Sequence, residues 1–170
     1  MKPTKNYAFI DGNNLYLGAK SQGIKFDYRS LRFYLKDKLN VEKAFLFIGY
    51  DPTQSNLYSA LQSYGFIIIF KPTVIFTNDS GERQMKGNVD AELVLQAAAI
   101  EYENYNKAVI ITSDGDFACL MRFLNDNNKL AKIITPTARY SSLLKPFQDL
   151  ILPLHSFKNA ILLKKRHSRG

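Results

Sequence analysis

The sequence contains little cysteine and histidine, and this shortage argues against several kinds of site. The single cysteine, Cys119, excludes an internal disulfide and a zinc site built from several cysteines. It stands in a predicted helix, where we expect it to be a small buried apolar residue. The two histidines, His155 and His167, lie near the C-terminus, and the chain has no nucleophile-elbow motif. A Ser-His-Asp mechanism therefore has little support.

Nucleotide-cofactor motifs and long apolar runs are also missing. The chain has neither a Gly-Lys-Ser/Thr phosphate loop nor a Gly-x-Gly-x-x-Gly after its first predicted strand, which argues against a nucleotide-cofactor enzyme. Residues 1–6 lack the apolar core of a signal peptide, and no apolar run approaches the roughly 20 residues that span a membrane. We therefore expect a cytoplasmic protein with no membrane partner.

Basic residues outnumber acidic ones, 23 to 15, which gives a formal net charge of +8. This charge suits a polyanionic partner such as nucleic acid, although solubility alone explains it equally well. The length of 170 residues predicts one domain with a substantial core, which we place at residues 1–163. Residues 164–170 form a predicted basic C-terminal tail, which could hold phosphates or have no specific role.

Short apolar runs alternate with helical patterns along the chain. The predicted strands are 7–10, 44–48, 66–70, 109–112 and 130–134. This alternation predicts βαβ units and a mainly parallel five-stranded sheet, and the continuous apolar character of the strands indicates helices on both faces. Residues 73–86 interrupt the alternation with a hairpin or ordered loop, and a long helix is predicted over 89–102.

Four aspartates stand where a predicted strand ends or a predicted helix begins. Asp11 closes the first strand, Asp114 and Asp116 follow the fourth, and Asp90 opens the helix before the fourth. The carboxyl ends of parallel strands face one crevice, so we expect the first and fourth strands to be adjacent and these carboxylates to meet. Clustered carboxylates repel one another unless a cation lies between them, and hard divalent cations prefer oxygen ligands. The pattern therefore predicts a Mg²⁺ or Mn²⁺ site suited to phosphate-ester cleavage.

Each aspartate also has a purely structural explanation as a turn residue, an N-cap or a residue favoured by a helix dipole. Their convergence favours a site, because several carboxylates at one sheet edge are costly without a metal or a strong hydrogen-bond network. A glycine beside each part of the group allows close approach of backbone or ligand. These glycines are Gly12, Gly87 and Gly115.

Polar neighbours of the aspartates are candidates for binding substrate. Asn13 and Asn14 could orient a metal-bound water or contact a phosphate, and Ser113 offers a hydroxyl at the same edge. Lys86 could meet a phosphate, although an ordinary solvated lysine is the alternative interpretation. An exposed aromatic residue near the crevice would stack on an unpaired base, which would favour single-stranded RNA as the partner.

Three blocks of the sequence resemble the signature blocks of NYN domains, and of the LabA-like group in particular. They are Phe-Ile-Asp-Gly-Asn-Asn-Leu at 9–15, Lys-Gly-Asn-Val-Asp at 86–90 and Thr-Ser-Asp-Gly-Asp-Phe at 112–117. The blocks occur in the family's order, and the resemblance spans about residues 6–135. The NYN family belongs to the wider group of PIN-like nucleases. The resemblance therefore implies a three-layer α/β/α sandwich and a metal-dependent ribonuclease.

The resemblance also implies roles for the four aspartates as catalytic and metal-binding residues. Asp11, Asp90 and Asp114 are the favoured ligands, with Asp116 as a further ligand or a base that orients water. Many relatives carry another aspartate six residues after the one that leads the helix, where this chain has Gln96. That departure keeps open a non-catalytic RNA-binding or regulatory module, and a phosphatase for small phosphate esters is a further alternative. Association into a homo-oligomer is also left open.

Overall fold

A computed structural model describes residues 5–71, 74–86 and 90–164, with the backbone alone at 74–76 and 83–86. Its strands are β1 (Asn6–Asp11), β2 (Val41–Gly49), β3 (Phe66–Lys71), β4 (Val74–Thr77), β5 (Arg83–Lys86), β6 (Ala108–Ile111), β7 (Leu130–Thr135) and β8 (Ile151–Pro153). Gly87 and most of the predicted basic tail lie outside the described residues, and the domain boundary at residue 163 stays a prediction.

Helices connect most of these strands. The α-helices are α1 (Gly12–Ser21), α2 (Tyr28–Leu39), α3 (Ser55–Ser63), α4 (Asp90–Leu95), α5 (Ala118–Asp126) and α6 (Lys158–Ile161). Segments with 3₁₀ geometry are Pro52–Gln54, Tyr102–Asn104, Gly115–Phe117, Ser142–Leu150 and Leu154–Phe157. No helix among the described residues is long and apolar enough to cross a membrane.

Within the described residues, the main sheet is parallel and has six strands in the order β3-β2-β1-β6-β7-β8. The central strand β1 pairs with β6, which confirms the predicted adjacency of the first and fourth strands of the alternation. The predicted count of five strands is wrong, because β8 adds a sixth strand beside β7. This strand is three residues long and ends in proline, so its sequence carries no strand pattern of its own. The predicted hairpin is confirmed as the antiparallel pair β4 and β5.

Alternate residues of each central strand point into two separate cores. In β1, Tyr7 and Phe9 pack with Leu93 of α4 on one face. Ala8 and Ile10 pack on the opposite face with apolar side chains of α1, α2, α3 and α6. Because helices cover both faces, the predicted three-layer α/β/α arrangement is confirmed. The carboxyl ends of β1 and β6 therefore lie side by side at one edge of the sheet.

The predicted helix over 89–102 is correct in position but not in regularity. After α4 the chain widens into a π-helical segment, Gln96–Ile100, in which the Glu101 N–H donates to the Gln96 carbonyl at 2.9 Å. The Tyr105 hydroxyl donates to the Ala97 carbonyl at 2.5 Å and so satisfies an acceptor within this segment. A buried tertiary contact thus accompanies the departure from α-helical geometry.

Cys119 is exposed, which corrects the expectation that it is buried. The buried positions of α5 are instead those of Ala118, Leu120, Met121 and Leu124. Cys119 falls on the solvent side because residues three and four apart share the face of α5 that meets the sheet.

Candidate functional site

Asp11 is both the last residue of β1 and the N-cap of α1. Its Oδ1 accepts a hydrogen bond from the Asn14 N–H at 3.3 Å. The side chain is buried, with 6% exposure for the residue. Gly12 follows at once, and a Cβ atom there would lie 2.9 Å from the Phe47 carbonyl oxygen of β2. A residue without a side chain therefore lets α1 begin directly against the end of the neighbouring strand.

Thr112 links Asp11 to the loop that follows β6. The Thr112 hydroxyl donates to Asp11 Oδ2 at 3.3 Å. The oxygen of this hydroxyl also accepts a hydrogen bond from the Asp114 N–H at 3.2 Å. Asp114 Oδ1 in turn accepts from the Asp116 N–H at 2.9 Å and caps the 3₁₀ turn Gly115–Phe117. One chain of hydrogen bonds thus runs from the buried Asp11 to the exposed end of the loop.

The carboxylates of Asp90, Asp114 and Asp116 lie together at this edge of the sheet. One oxygen from each lies within 4.8 Å of the other two. Asp90 reaches this position because α4 packs against β1 and against the turn Gly115–Phe117. Gly115 lets the turn sit close to the following loop, since a Cβ atom there would be 2.3 Å from Ser141 Oγ. We refer to Asp90, Asp114 and Asp116 as the three-acid cluster.

Burial and like charge together raise the pKa values of two of these aspartates. Burial raises the pKa of Asp11 to about 6, opposed by its hydrogen bonds from Asn14 and Thr112 and assisted by the charges of Asp90 and Asp114. Burial also raises the pKa of Asp90, and the charges of Asp114 and Asp116 add to this effect. Asp11 therefore lies within the electrostatic field of the three-acid cluster.

Lys71 is a neighbour of the site that the sequence analysis missed. Its positive charge opposes the rise in the Asp90 pKa, which places the ammonium group within electrostatic reach of the cluster. Lys71 is the last residue of β3, so it too stands at the carboxyl edge of the parallel sheet. The same rule that identified the aspartates would have found it, had it been applied to basic residues as well as acidic ones.

The three-acid cluster fits a divalent cation in its donor chemistry. Mg²⁺ and Mn²⁺ take oxygen ligands, and carboxylates at this separation repel one another unless a cation lies between them. Asp116 is the third acid of the cluster. The sequence analysis favoured Asp11 over Asp116 as the third metal ligand. Both Asp11 oxygens accept hydrogen bonds from the protein, and the residue is joined to Asp114 of the cluster through the Thr112 hydroxyl.

The four candidate substrate-binding residues have different surroundings. Asn14 Oδ1 accepts from the Ser113 N–H at 2.9 Å, and Ser113 Oγ accepts from the Thr137 N–H at 3.1 Å, so both side chains brace the loops of the site. Asn13 is exposed at the start of α1. Lys86 ends β5, and its side chain lies outside the described part of the structure.

Gln96 follows Asp90 by six positions along the helical segment. Six residues of α-helix advance about 9 Å along the axis and leave a residue about 120° around it from the starting position. Gln96 follows the last residue of α4, so this displacement applies to it relative to Asp90. A carboxylate at this position would therefore not join the cluster directly.

Comparisons with known proteins agree with this architecture. The family model of the NYN domain matches residues 6–150. The chain is 26% identical over 166 residues to the Low amplitude and bright protein LabA of Synechococcus elongatus, covering 94% of this chain and 89% of that protein. It also matches the crystal structure of a protein of unknown function, VPA0982, from Vibrio parahaemolyticus, with a TM-score of 0.70 and 24% identity over 94% of this chain and 96% of that one. Because the family model spans most of its length, this chain belongs to the NYN domain family, a PIN-like nuclease family.

Proposed function

We propose that this protein is a metal-dependent ribonuclease that cleaves RNA phosphodiester bonds. The observation that supports this function best is the three-acid cluster, with one oxygen from each of three carboxylates within 4.8 Å of the others at the carboxyl edge of the sheet. Membership of a nuclease family and the net charge of +8 support a polyanionic substrate. The family relation alone does not establish an activity, so the site carries the proposal.

The cluster would hold Mg²⁺ or Mn²⁺ through Asp90, Asp114 and Asp116. When bound, the cation would supply an activated water and neutralise the negative charge that grows on the scissile phosphate. Asp116 is the most exposed of the three acids and could orient the attacking water or accept its proton. Lys71 offers a positive charge beside Asp90 for a phosphate oxygen.

Asp11 has a positioning role in this proposal. It holds the Thr112 hydroxyl, and that hydroxyl holds the backbone of Asp114. The orientation of Asp114 in the cluster thus depends on a buried carboxylate behind it. Asn14 and Ser113 add to this support by joining the start of α1 to the loop after β6.

Parallel measurements of cleavage and binding test the proposed function. The protein is incubated with end-labelled single-stranded RNA in Mn²⁺, in Mg²⁺ and in EDTA, and binding is measured in EDTA alone. We expect cleavage with either metal, none in EDTA, and inhibition by unlabelled RNA rather than by small phosphate esters. Binding without cleavage across metals and substrates would favour the non-catalytic module, and preference for small phosphate esters would favour the phosphatase.

Metal binding can be measured without any substrate. A cation that binds only the folded protein stabilises it by about 2.7 kcal/mol at one hundred times its dissociation constant, so Mn²⁺ should raise the melting temperature. Asp90→Asn should remove most of this shift, because it takes one charged ligand from the cluster. Asp11→Asn should reduce the melting-temperature shift less, because Asp11 is not one of the three acids whose oxygens lie within 4.8 Å of one another.

The control for this measurement is Asp126→Asn, an exposed acid at the end of α5. In this variant Mn²⁺ should raise the melting temperature by as much as it does in wild type. An equal shift in wild type and Asp90→Asn would place the metal elsewhere on the chain.

A further inference from the structure

Two adjoining depressions beside α1 share Tyr16 and Tyr28 and form one groove. The first, of about 440 Å³, runs from Gly12 and Asn13 to Leu57 and Tyr58. The second, of about 340 Å³, continues past the two shared tyrosines to Lys20 and Lys25. We name this combined feature the tyrosine groove. It joins the carboxyl edge of the sheet at one end to a basic surface at the other.

We propose that the tyrosine groove binds the unpaired RNA strand beside the scissile phosphate. Tyr16 would stack on a base, and Lys20 and Lys25 would contact phosphates. This inference rests on the proposed function, since it assigns a path to the substrate of the same site. It goes further by naming the residues that would select single-stranded over duplex RNA.

The groove begins where the candidate site ends. Gly12 and Asn13 line its first part and directly follow Asp11 in the chain. Consecutive Cα atoms are about 3.8 Å apart, so the Asn13 Cα lies within about 8 Å of the Asp11 Cα. Asp11 is joined to Asp114 of the three-acid cluster through the Thr112 hydroxyl, so the groove and the cluster meet at the same edge of the sheet, and the strand would cross that edge beside Asn13.

The shared tyrosines give the groove an aromatic surface suited to bases. Tyr16 is 53% exposed, so its ring can be reached from solvent at the edge of the cavity. Lys20 Nζ lies 5.9 Å from the centre of its ring, which places a cation for a phosphate next to this aromatic side chain. Tyr28 packs edge-to-face against Phe26, with their ring centres 4.7 Å apart. Stacking on an aromatic ring accepts any base, because every base has a π-face.

The charges along the groove differ between its two ends. Lys20 and Lys25 line the part beyond the tyrosines, whereas Asp51 lines the part beside α3. The Asp51 carboxylate accepts hydrogen bonds from the Thr53 N–H at 3.0 Å and the Thr53 hydroxyl at 2.7 Å. This fixed negative charge repels phosphates near α3, so the sugar-phosphate backbone would follow the lysine side. Duplex RNA keeps its bases stacked within the helix and cannot place one on Tyr16.

Binding measurements in EDTA test the groove independently of catalysis. Dissociation constants are measured for a single-stranded oligonucleotide and for a blunt-ended duplex of the same length, which has no unpaired bases. Tyr16→Ala should weaken single-strand binding about fivefold or more and leave duplex binding nearly unchanged. Tyr16→Phe keeps the ring and should bind as wild type. Phe33→Ala is the matched control, because Phe33 is 51% exposed on α2 and does not line the groove.

The lysines are tested by the salt dependence of binding. Lys20→Ala should reduce the slope of log K against log salt by about 0.7, the value for one phosphate contact on a single strand. Lys38→Ala, an exposed lysine of α2, should leave the slope unchanged. A base analogue whose fluorescence reports stacking should respond to wild type and not to Tyr16→Ala.

The outcomes separate this inference from the proposed function. If wild type cleaves RNA but Tyr16→Ala and Lys20→Ala bind single strands as wild type does, the groove assignment is overturned and the ribonuclease stands. If binding depends on Tyr16 but no metal supports cleavage, the ribonuclease is overturned and the groove stands. Wild type that binds no single-stranded RNA overturns the groove assignment.

Discussion

Asp114→Asn is expected to preserve the fold and to reduce RNA hydrolysis by about one hundredfold or more. The substituted side chain keeps an oxygen that can accept from the Asp116 N–H, and the backbone N–H of residue 114 can still donate to Thr112. The change removes one charge from the three-acid cluster. A bound metal contributes several kcal/mol of charge stabilisation to phosphate-ester cleavage, and each 1.4 kcal/mol is about tenfold in rate.

RNA affinity should respond differently from RNA hydrolysis in this variant. With EDTA present, Asp114→Asn should bind RNA as well as wild type or more tightly, because a charge that repels phosphate is gone. Single-turnover cleavage and equilibrium binding are measured on the same oligonucleotide. Asp126→Asn at the end of α5 serves as the control and should match wild type in both. Hydrolysis within a few-fold of wild type would mean that catalysis does not use this cluster.

Asp11→Asn is expected to change how the stability of the metal-free protein depends on pH. The pKa of Asp11 rises from 3.8 to about 6 on folding, chiefly through burial. Between these values the folded protein binds the proton more tightly than the unfolded chain does. This contribution to stability is therefore fully present below the unfolded pKa and is lost as the pH rises through the folded pKa. A shift of this size corresponds to about 3 kcal/mol.

The difference in unfolding free energy between variant and wild type should thus move by about 2 kcal/mol in favour of Asp11→Asn between pH 4 and pH 7, because pH 4 lies slightly above the unfolded pKa and part of the full effect is already lost there. Comparing the two pH values cancels any constant packing effect of the substitution. Urea unfolding in EDTA measures this change. Asp37→Asn, an exposed acid of α2, should show no comparable movement. Parallel stability curves for Asp11→Asn and wild type would contradict the raised pKa.

The two predictions concern opposite sides of the same site. Asp114 is half-buried and takes part in the cluster, whereas Asp11 is buried behind it and joined to it through Thr112. Ionising a buried carboxylate such as Asp11 lowers the stability of the fold unless a partner compensates the charge. In the proposed function, the gain is a fixed position for Asp114 and a field that attracts a divalent cation.

The sequence predicted those features of the fold and the site that depend on a single short segment of the chain. Continuous apolar runs predicted β1, β2, β3, β6 and β7. A strand buried on both faces needs apolar residues at every position, which holds for the central strands β1 and β6, whereas the edge strand β3 is partly exposed. The positions of Asp11 and Asp114 at the ends of two such runs placed them at one edge of the sheet, since parallel strands bring their carboxyl ends together. The three signature blocks indicated the family for the same reason, because each lies within a short segment.

Features that depend on contacts between residues far apart in the chain could not be predicted from the sequence. Strand β8 exists through its pairing with β7, and the widened turn after α4 accompanies a contact from Tyr105. The packing of α4 against the turn Gly115–Phe117 brings Asp90 close to Asp116, whereas Asp11 is joined to Asp114 through the Thr112 hydroxyl.

The sequence by itself determined the fold class, the family and the sheet edge at which the acids meet. The tertiary structure decided which acids face one another, which one is buried, that Lys71 is a neighbour, and that Tyr16 opens onto a groove. The physical reason is that hydrophobic periodicity is local along the chain. The separation of two side chains depends instead on how helices from distant segments pack against the sheet.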